Sequence, residues 1–431
     1  MKPINLSELT AADYQRIVNR SAGRDTKIMP SVLSAMESVR KNGDDAVWEK
    51  YTKRYGSAYA SIRVNRREIQ QAYRKVTPQL IRSLRQMIQN ITAVQRAQLP
   101  RKKDTVVITE RGITVWREWR AINTVGLYIP GCKAIYPSSV LMTAIPANIA
   151  GCKNIVMCSP PRADGAIPAA TLVAADMVGI TDMFKVGGAE AIAAMCYGTQ
   201  TIPKVYKIFG AGNASVTAAK MAALSTVSID MPAGPSEIFI IADETANPSY
   251  IAADLLADGE HGEDSACVLI TTSRTIAEQT IAEIEKQLAA LPTGDRARKS
   301  LETYGLFAVV PTIDDAIAFT NRYAPEHLEI MTSRPETLVA RVQNAGSVFL
   351  GPWTAKATGD YATGANHVLP TGGMAKMYPP LGVDAYGKWM QVQKCTKKGL
   401  SAIRKTIETV ADAEKLPAHK NSVTIRFKKN I

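Results

Sequence analysis

The segment at residues 124–159 reads TVGLYIPGCKAIYPSSVLMTAIPANIAGCKNIVMCS, and it contains a complete strand–helix–strand pattern. Short apolar runs at residues 124–129 and 154–159 predict two buried strands. Residues 138–150 lie between them and predict a helix. A helical connection of this kind joins parallel strands of one sheet, so the segment predicts a βαβ unit.

The same alternation continues on the C-terminal side of this unit. A first series of strands and helices ends near residue 230, and a second series runs from residue 237 to residue 350. Alternating strands and helices predict an α/β fold with mainly parallel sheets that are covered on both faces.

The two ends of the chain have different patterns. The first hundred residues predict helices, of which the clearest are residues 31–42, 44–55 and 78–98. A polar hairpin is expected next, at residues 105–109 and 113–119. Near the C-terminus we expect a helix at residues 397–413 and a strand at residues 422–427. An amphipathic end that cannot form its own core is a candidate for packing on a partner subunit.

The composition is that of a globular protein with a large core. The 431 residues are 46% hydrophobic and 21% charged, which excludes a disordered chain, a collagen and a coiled-coil rod. Polar residues interrupt every long apolar stretch, so we expect no membrane span. Charges stand where a secretory signal would be apolar, so we expect a cytoplasmic protein. The six scattered cysteines are expected as free thiols.

The net charge of +13 permits acidic partners, and part of it is concentrated between residues 63 and 103. Eleven lysines or arginines there accompany one acid, Glu68. Such a run suits a nucleic-acid face or an anionic-cofactor funnel, but it also suits the solvated face of a long helix. Apolar residues recur at helical spacing from residue 80 to residue 94 without interleaved aromatics, so we favour the helix and expect no nucleic-acid partner.

Four histidines, His261, His327, His367 and His419, each have a carboxylate within a few positions. Two imidazoles with carboxylate oxygens would make a zinc site with room for substrate. A pair such as Glu326–His327 would suit acid–base chemistry near neutral pH. Most lone histidines in proteins are simply hydrogen-bonded core or surface residues, and spacing alone does not bring these distant segments together.

Glycines follow predicted strands and precede predicted helices at Gly187-Gly188 and Gly210-Ala211-Gly212. Their backbone amides would suit a phosphate at a helix N-terminus. Tight turns explain them equally well, and no stretch matches the G-x-G-x-x-G fingerprint. Ser236 lacks the G-x-S-x-G context of a nucleophile, so we interpret it as a binding or turn residue.

Several long strings occur in the order in which histidinol dehydrogenases carry them, and the chain resembles that family over nearly its whole length. The strings are residues 126–131 (GLYIPG), 149–161 (IAGCKNIVMCSPP), 186–194 (VGGAEAIAA), 207–214 (KIFGAGNA), 229–237 (IDMPAGPSE), 260–262 (EHG), 324–328 (APEHL), 351–353 (GPW), 359–371 (GDYATGANHVLPT) and 418–424 (AHKNSVT).

The resemblance implies a homodimer in which each subunit has two Rossmann-like domains and one zinc ion. It implies that L-histidinol is oxidised twice by NAD, through a bound aldehyde, to L-histidine, in the last step of histidine biosynthesis. The implied parts are a helical segment at 1–30, a zinc and substrate domain at 31–125 with 237–380, an NAD domain at 126–236, and a dimerisation arm at 381–431. The arm would complete the site of the partner.

The resemblance also implies a role for each site residue. His327 is the implied proton-transfer base for both hydride steps, and Glu326 activates the water that adds to the aldehyde. The implied zinc ligands are Asp258, His261, Asp360 and His419. The implied substrate contacts are Ser236, Asp258, His261, Glu326, His327, Asp360, Glu414 and His419. The implied NAD contacts are Tyr128, Glu190 and Asn213.

Three positions depart from the family pattern. Asp258 stands where the family has a glutamine zinc ligand, and with Asp360 it would make a zinc site neutral instead of +1, so we expect tighter metal binding. Glu190 stands where the family has a glutamine NAD contact. Its charge would repel a 2′-phosphate, so we expect NAD and not NADP. Ala211 replaces a proline in a G-P-G-N turn.

Two other functions remain open at this point. A related zinc and NAD dehydrogenase of another amino alcohol or diol would use the same residues on a different substrate. A non-catalytic binding homologue is a further class, but it would have no physical need for the acid–base pair Glu326–His327.

Overall fold

A computed structural model describes residues 1–20, 27–131 and 135–428 of the chain. Its strands form a six-stranded, a five-stranded and a three-stranded sheet. Every strand pair in the two larger sheets is parallel. The prediction of an α/β fold with mainly parallel sheets is therefore confirmed. Five of the six cysteines are free thiols, and Cys132 lies outside the described residues.

The N-terminal part of the chain is mostly helical. Its elements are β1 (Ile4–Asn5), α1 (Ala11–Val18), α2 (Met29–Asn42), α3 (Asp44–Tyr55), α4 (Arg66–Lys75), α5 (Pro78–Ala97), β2 (Val107–Glu110) and β3 (Ile113–Ala121). The longest helix, α5, begins where the Thr77 side chain accepts a hydrogen bond from the Leu80 amide and Pro78 takes the first helical position. Threonine is a favoured N-cap residue, and proline is favoured at the first helical position.

The five-stranded sheet has the strand order β6-β5-β4-β7-β8. Its strands and helices are β4 (Thr124–Tyr128), α6 (Pro137–Ala150), β5 (Asn154–Cys158), α7 (Ala169–Met177), β6 (Asp182–Phe184), α8 (Gly188–Tyr197), β7 (Lys207–Phe209), α9 (Ala214–Ala223) and β8 (Ser228–Ile229). All five residues of β4 are buried, as expected for a central parallel strand that is covered on both faces.

The six-stranded sheet has the strand order β1-β11-β10-β9-β12-β13. The elements after β1 are β9 (Glu237–Ala242), α10 (Pro248–Gly259), β10 (Ala266–Thr271), α11 (Arg274–Leu288), α12 (Gly294–Tyr304), β11 (Leu306–Val309), α13 (Ile313–Tyr323), β12 (His327–Met331), β13 (Ser347–Leu350) and α14 (Lys356–Tyr361). Every residue of β9, β10 and β12 is buried. These three adjacent strands form the centre of this half of the molecule.

The helices near the N-terminus cover the five-stranded sheet. Met36 of α2 shares a buried cluster with Ile192 of α8, and Leu84 of α5 shares another with Leu127 and Leu141. The resemblance to the family implies a domain that groups residues 31–125 with the second series of strands. Helical periodicity in the sequence shows that a helix has a buried face, but it does not show which sheet that face covers.

The C-terminal part contains β14 (Gly387–Cys395), α15 (Lys397–Ala413) and α16 (Pro417–Thr424). Strand β14 was not predicted, and it pairs antiparallel with β3 along its whole length. The predicted strand at residues 422–427 is wrong, because these residues continue α16 and then form a 3₁₀ turn at Ile425–Phe427. Pro417 takes the first turn of α16, where it favours a helix, and α16 contacts α15. Among the described residues, no helix is long and apolar enough to cross a membrane.

Candidate active site

The predicted catalytic residues lie at the amino edge of the six-stranded sheet. Ser236 precedes β9, and Glu326 and His327 lead into its neighbour β12, where His327 is in register with Ile238. Helix α10 runs back over the sheet and brings Asp258 to the same edge. Asp360, near the end of α14, reaches this edge as well, within 4.0 Å of the His327 ring.

Glu326 and His327 form a buried pair whose orientation is fixed by hydrogen bonds. The Oε2 atom of Glu326 accepts from the Ser236 hydroxyl at 3.1 Å and from the Glu237 amide at 2.8 Å. The Nδ1 atom of His327 lies 3.0 Å from the Glu237 carbonyl oxygen and 3.5 Å from Glu326 Oε2. Because a carbonyl only accepts, Nδ1 carries the proton and Nε2 is left with its lone pair.

The Nε2 atom of His327 is the free end of this pair. The side chain is 2% exposed, and Nε2 has no hydrogen-bond partner among the described residues. Burial lowers the pKa of His327. The negative charges of Glu326 and Asp258 raise it more strongly, so the pKa lies above the ordinary value. The raised pKa makes the neutral imidazole a stronger base, so its free Nε2 atom can take a proton from a bound alcohol.

Asp258 lies at the centre of a second cluster beside this pair. Its Oδ1 atom accepts from the Lys356 ammonium at 2.9 Å and lies 3.4 Å from Nδ1 of His261. It also lies 2.9 Å from the Ser236 hydroxyl, whose single proton is shared between Asp258 and Glu326. The same ammonium lies 2.9 Å from Oδ2 of Asp360. Burial alone would raise the pKa of Asp258, but the charge of Lys356 and the nearby histidines hold it below the ordinary value.

The donor atoms at this edge of the sheet are of the types that bind a metal ion. Asp258 is fully buried, yet its Oδ2 atom lacks a hydrogen-bond partner within the described ranges, as does Nε2 of His327. Ligand atoms of Asp258, Glu326 and His327 lie within 4.8 Å of one another. Carboxylate oxygens and imidazole nitrogens are zinc ligands. An orphaned buried carboxylate oxygen has a high energetic cost that a cation would remove.

This group differs from the predicted set of ligands. The structure brings Asp258 close to His261 and joins it to Asp360 through Lys356, whereas the tightest group of donors contains the predicted catalytic pair. His419 and Glu414 are exposed on the C-terminal helices. No described contact joins either of them to Asp258, so one chain does not assemble the whole predicted set.

The predicted cofactor contacts lie along the carboxyl edge of the five-stranded sheet. Tyr128 ends β4, Glu190 is in the first turn of α8, and Asn213 caps α9 by accepting from the Val216 amide. Gly210 has a φ of 112°, and a Cβ atom there would lie 2.1 Å from the Tyr128 carbonyl oxygen. Only glycine fits this turn. The turn leads to the N-terminus of α9, and a helix N-terminus is a place where phosphates bind well.

Glu190 is not an isolated charge. Its side chain is buried and forms an ion pair with Lys50 of α3, whose side chain is about half exposed. The sequence offered no signal for this partner, because the two residues are far apart in the chain.

His367 connects the two edges that carry the predicted residues. Its Nδ1 atom lies 3.2 Å from the carbonyl oxygen of Asp360, and its Nε2 atom lies 3.2 Å from the hydroxyl of Ser139 in α6. Burial lowers the pKa of His367, so the ring is neutral near pH 7. The sequence singled out this histidine by its company, but it assigned no role to it.

Two further buried charges at the site were missed by sequence reasoning. Lys356 begins a helix of only six residues, too short to show a period, although its spacing of four from Asp360 is the spacing of helical ion pairs. Arg20 binds both oxygens of the buried Glu237 carboxylate and lies 3.5 Å from the centre of the Tyr323 ring. Glu237 is in turn the residue whose backbone orients both Glu326 and His327.

Comparisons with known proteins show relatives along nearly the whole chain. The family model described as histidinol dehydrogenase matches residues 18–427. Histidinol dehydrogenase of Methanothermobacter thermautotrophicus is 43% identical, with 98% of this chain and 100% of the relative covered. The chloroplastic histidinol dehydrogenase of Arabidopsis thaliana is 44% identical, with 99% and 92% covered.

A solved structure extends this similarity to three dimensions. The crystal structure of histidinol dehydrogenase from Elizabethkingia anophelis is 41% identical, with a TM-score of 0.91 and with 99% of this chain and 98% of that chain covered. The family model matches nearly the whole chain, and relatives of the same family are more than 40% identical over almost all of it. The chain therefore belongs to the histidinol dehydrogenase family.

Proposed function

We propose that the protein oxidises L-histidinol to L-histidine in two NAD-linked steps, with the aldehyde held between them, as the last step of histidine biosynthesis. The observation that carries this proposal is the buried Glu326–His327 pair, oriented by the backbone of Glu237 with Nε2 of His327 left free. Relatives of this chain that are 40–44% identical are named histidinol dehydrogenase.

His327 is the base that receives the alcohol proton in the first step. Its Nδ1 proton is donated to the Glu237 carbonyl, so Nε2 is the only ring atom that can accept. NAD bound along Tyr128, Glu190 and Asn213 would supply the hydride acceptor. The carbinol carbon must then lie between Nε2 and the nicotinamide, which agrees with the location of His327 on the edge that His367 joins to the cofactor side.

Glu326 is the base for the water that adds to the aldehyde. Two donors hold its Oε2 atom, which fixes the plane of the carboxylate beside the imidazole. Once the imidazole has received the alcohol proton, it can no longer act as a base. The carboxylate beside it can still take a proton from water. Before the second oxidation, His327 must release its proton and a second NAD must replace the NADH. The hydride of the hydrated aldehyde would then pass to this second NAD, while His327 receives a hydroxyl proton and the acid forms.

The residues that would hold zinc are Asp258, His261 and Asp360 of one subunit and His419 of a second copy of the chain. Zinc bound there would orient the imidazole and amino nitrogens of the substrate. Ser236 and Glu414 complete the proposed substrate contacts. The homodimer and the cytoplasmic location are parts of the same proposal. The division into domains is also part of it, although helices α2 and α5 pack on the five-stranded sheet.

The decisive experiment is an assay of zinc-loaded protein with L-histidinol and NAD. We expect two NADH for each histidinol consumed and histidine as the product. Folded, zinc-loaded protein that forms no NADH would refute the proposal. NADP in place of NAD measures the predicted cofactor preference in the same assay.

The second candidate is a related zinc and NAD dehydrogenase of another amino alcohol or diol. The buried ion pair of Asp258 with Lys356, at a position where the family has a neutral glutamine, favours it. Turnover of other amino alcohols with a higher kcat/KM than that for L-histidinol would support this candidate over the first.

A further inference from the structure

A buried lysine stands among the proposed zinc ligands. Lys356 is 2% exposed, and its ammonium lies 2.9 Å from Oδ1 of Asp258 and 2.9 Å from Oδ2 of Asp360. These two carboxylates come from different helices, α10 and α14. The lysine is therefore the direct link between the two predicted acidic ligands.

The lysine uses only one oxygen of each carboxylate. Oδ2 of Asp258 stays buried and without a hydrogen bond in the described part of the chain, while Oδ1 of Asp360 lies 4.0 Å from Nε2 of His327. Each aspartate thus keeps one oxygen for a further cation. An unpartnered, fully buried carboxylate oxygen is a strong sign of an intended ligand.

Charge balance explains why a lysine belongs here. Asp258, Asp360 and Glu326 place three carboxylates close together in a buried site, and burial of unpaired charges is costly. With zinc in the site, Asp258 and Asp360 would give a neutral centre, as the sequence led us to expect. Lys356 adds one positive charge and returns the centre to +1, the value that a neutral glutamine at position 258 would give.

We propose that Lys356 is a positioning residue that acts as a permanent internal cation of the zinc site, because its ammonium bridges Asp258 and Asp360. It cancels the extra charge of Asp258 and holds one oxygen of each aspartate away from the metal. This inference rests on the proposed function for the presence of zinc. It reverses the expectation that Asp258 makes the metal bind more tightly.

The test is a zinc titration of metal-free protein against a competing chromophoric chelator, without substrate. We expect Lys356→Met to bind zinc about ten- to a hundredfold more tightly than the wild type, because a nearby positive charge is removed. Loss of a merely structural contact would weaken binding instead. The double variant Asp258→Gln/Lys356→Met restores the net charge and is expected to bind zinc close to the wild-type value.

Lys185→Met provides the matched control. Lys185 is also a buried lysine, with its ammonium 3.0 Å from Glu68 on the other half of the molecule. We expect this control to lower the melting temperature and to leave the zinc affinity unchanged.

Each outcome has a distinct meaning. Equal or weaker zinc binding by Lys356→Met overturns the role of Lys356 and leaves the proposed function intact. A wild-type chain that binds no zinc overturns the metal site and the role of Lys356 together. Tighter binding by Lys356→Met with recovery in the double variant supports the proposal even where the substrate proves to be another amino alcohol.

Discussion

At the scale of single residues, two acidic residues that depart from the family pattern each have a lysine partner. Asp258 pairs with Lys356, and Glu190 pairs with Lys50. The sequence identified both acids through the resemblance to the family. It did not identify either lysine, because ion pairs between residues so far apart in the chain leave no periodic signal. An expectation based on the charge of the acid alone, without its lysine partner, therefore gives the wrong sign or size for the effect on ligand binding.

The Lys50–Glu190 pair leads to a prediction about the cofactor. In Lys50→Met, the buried Glu190 carboxylate loses its partner and repels the phosphates of NAD, so we expect a higher KM for NAD with little change in kcat. Steady-state kinetics with varied NAD measure this effect. The double variant Lys50→Met/Glu190→Gln removes both charges and should recover most of the affinity. An unchanged KM in the single variant would place Glu190 away from the cofactor.

Glu326 has a separate prediction, because it is assigned to only one of the two oxidations. Glutamine at this position still accepts the hydrogen bonds of Ser236 and the Glu237 amide, but it cannot deprotonate water. We expect Glu326→Gln to slow oxidation of the aldehyde by about a hundredfold or more and oxidation of the alcohol much less. A single-turnover experiment that counts NADH per histidinol separates the two steps. Equal losses in both would argue against the division of roles.

At the scale of secondary-structure elements, the parallel strands were the most predictable part of the fold. Helices α3 and α15 have the predicted bounds. Strand β9 begins and strand β13 ends where the second predicted series begins and ends, because continuous apolar runs mark these strands. Strand β14 was missed because its residues are mostly exposed and mix apolar side chains with lysine and glutamine. Residues 422–427 were assigned to a strand, although contact between α16 and α15 favours a helix there.

A buried acidic pair between α10 and β12 gives a prediction about stability. Burial raises the pKa of Asp254 to about 6, and burial together with Asp254 raises the pKa of the neighbouring Glu329 well above its ordinary value. A carboxyl group with a raised pKa in the folded state destabilises the protein once the pH exceeds its unfolded value near 4, and the full cost is present above about pH 6. Asp254→Asn should therefore raise the free energy of unfolding by up to about 3 kcal/mol at pH 8 and by less at pH 5.

Denaturant unfolding at the two pH values measures this difference. Asp243→Asn is a control of opposite sign. Burial alone would raise the pKa of Asp243, but hydrogen bonds from Thr245 and Ser333 bring it below the ordinary value, so its carboxylate contributes stability above pH 4 that the substitution removes. If Asp254→Asn raises the free energy of unfolding equally at both pH values, the charge of Asp254 is not the cause of the increase.

At the scale of the whole molecule, one chain does not bring all the proposed site residues together. His419 and Glu414 are exposed near the C-terminus, and no described contact joins either of them to Asp258. The sequence identified these residues only through the resemblance to the family. No sequence pattern indicates whether these residues act in their own chain or in a second copy. This part of the proposed site would therefore form only when two subunits assemble.

Subunit mixing tests the proposed exchange of arms. His327→Ala and His419→Ala are each expected to be inactive as homodimers. In a mixed dimer, one site would combine the intact His327 of one subunit with the intact His419 of the other. Random mixing should therefore restore about a quarter of the wild-type activity, since half of the dimers are mixed and each has one complete site. No recovery in dimers shown to be mixed would contradict the exchange.

The ring of His367 has a mechanical consequence for the two halves of the molecule. A neutral imidazole offers one donor and one acceptor, and both are engaged, the first by Asp360 and the second by Ser139. The ring therefore links the half that contains the six-stranded sheet to the half that contains the five-stranded sheet. Any hinge motion that separates the two halves must either break one of these hydrogen bonds or carry the end of α14 along with α6.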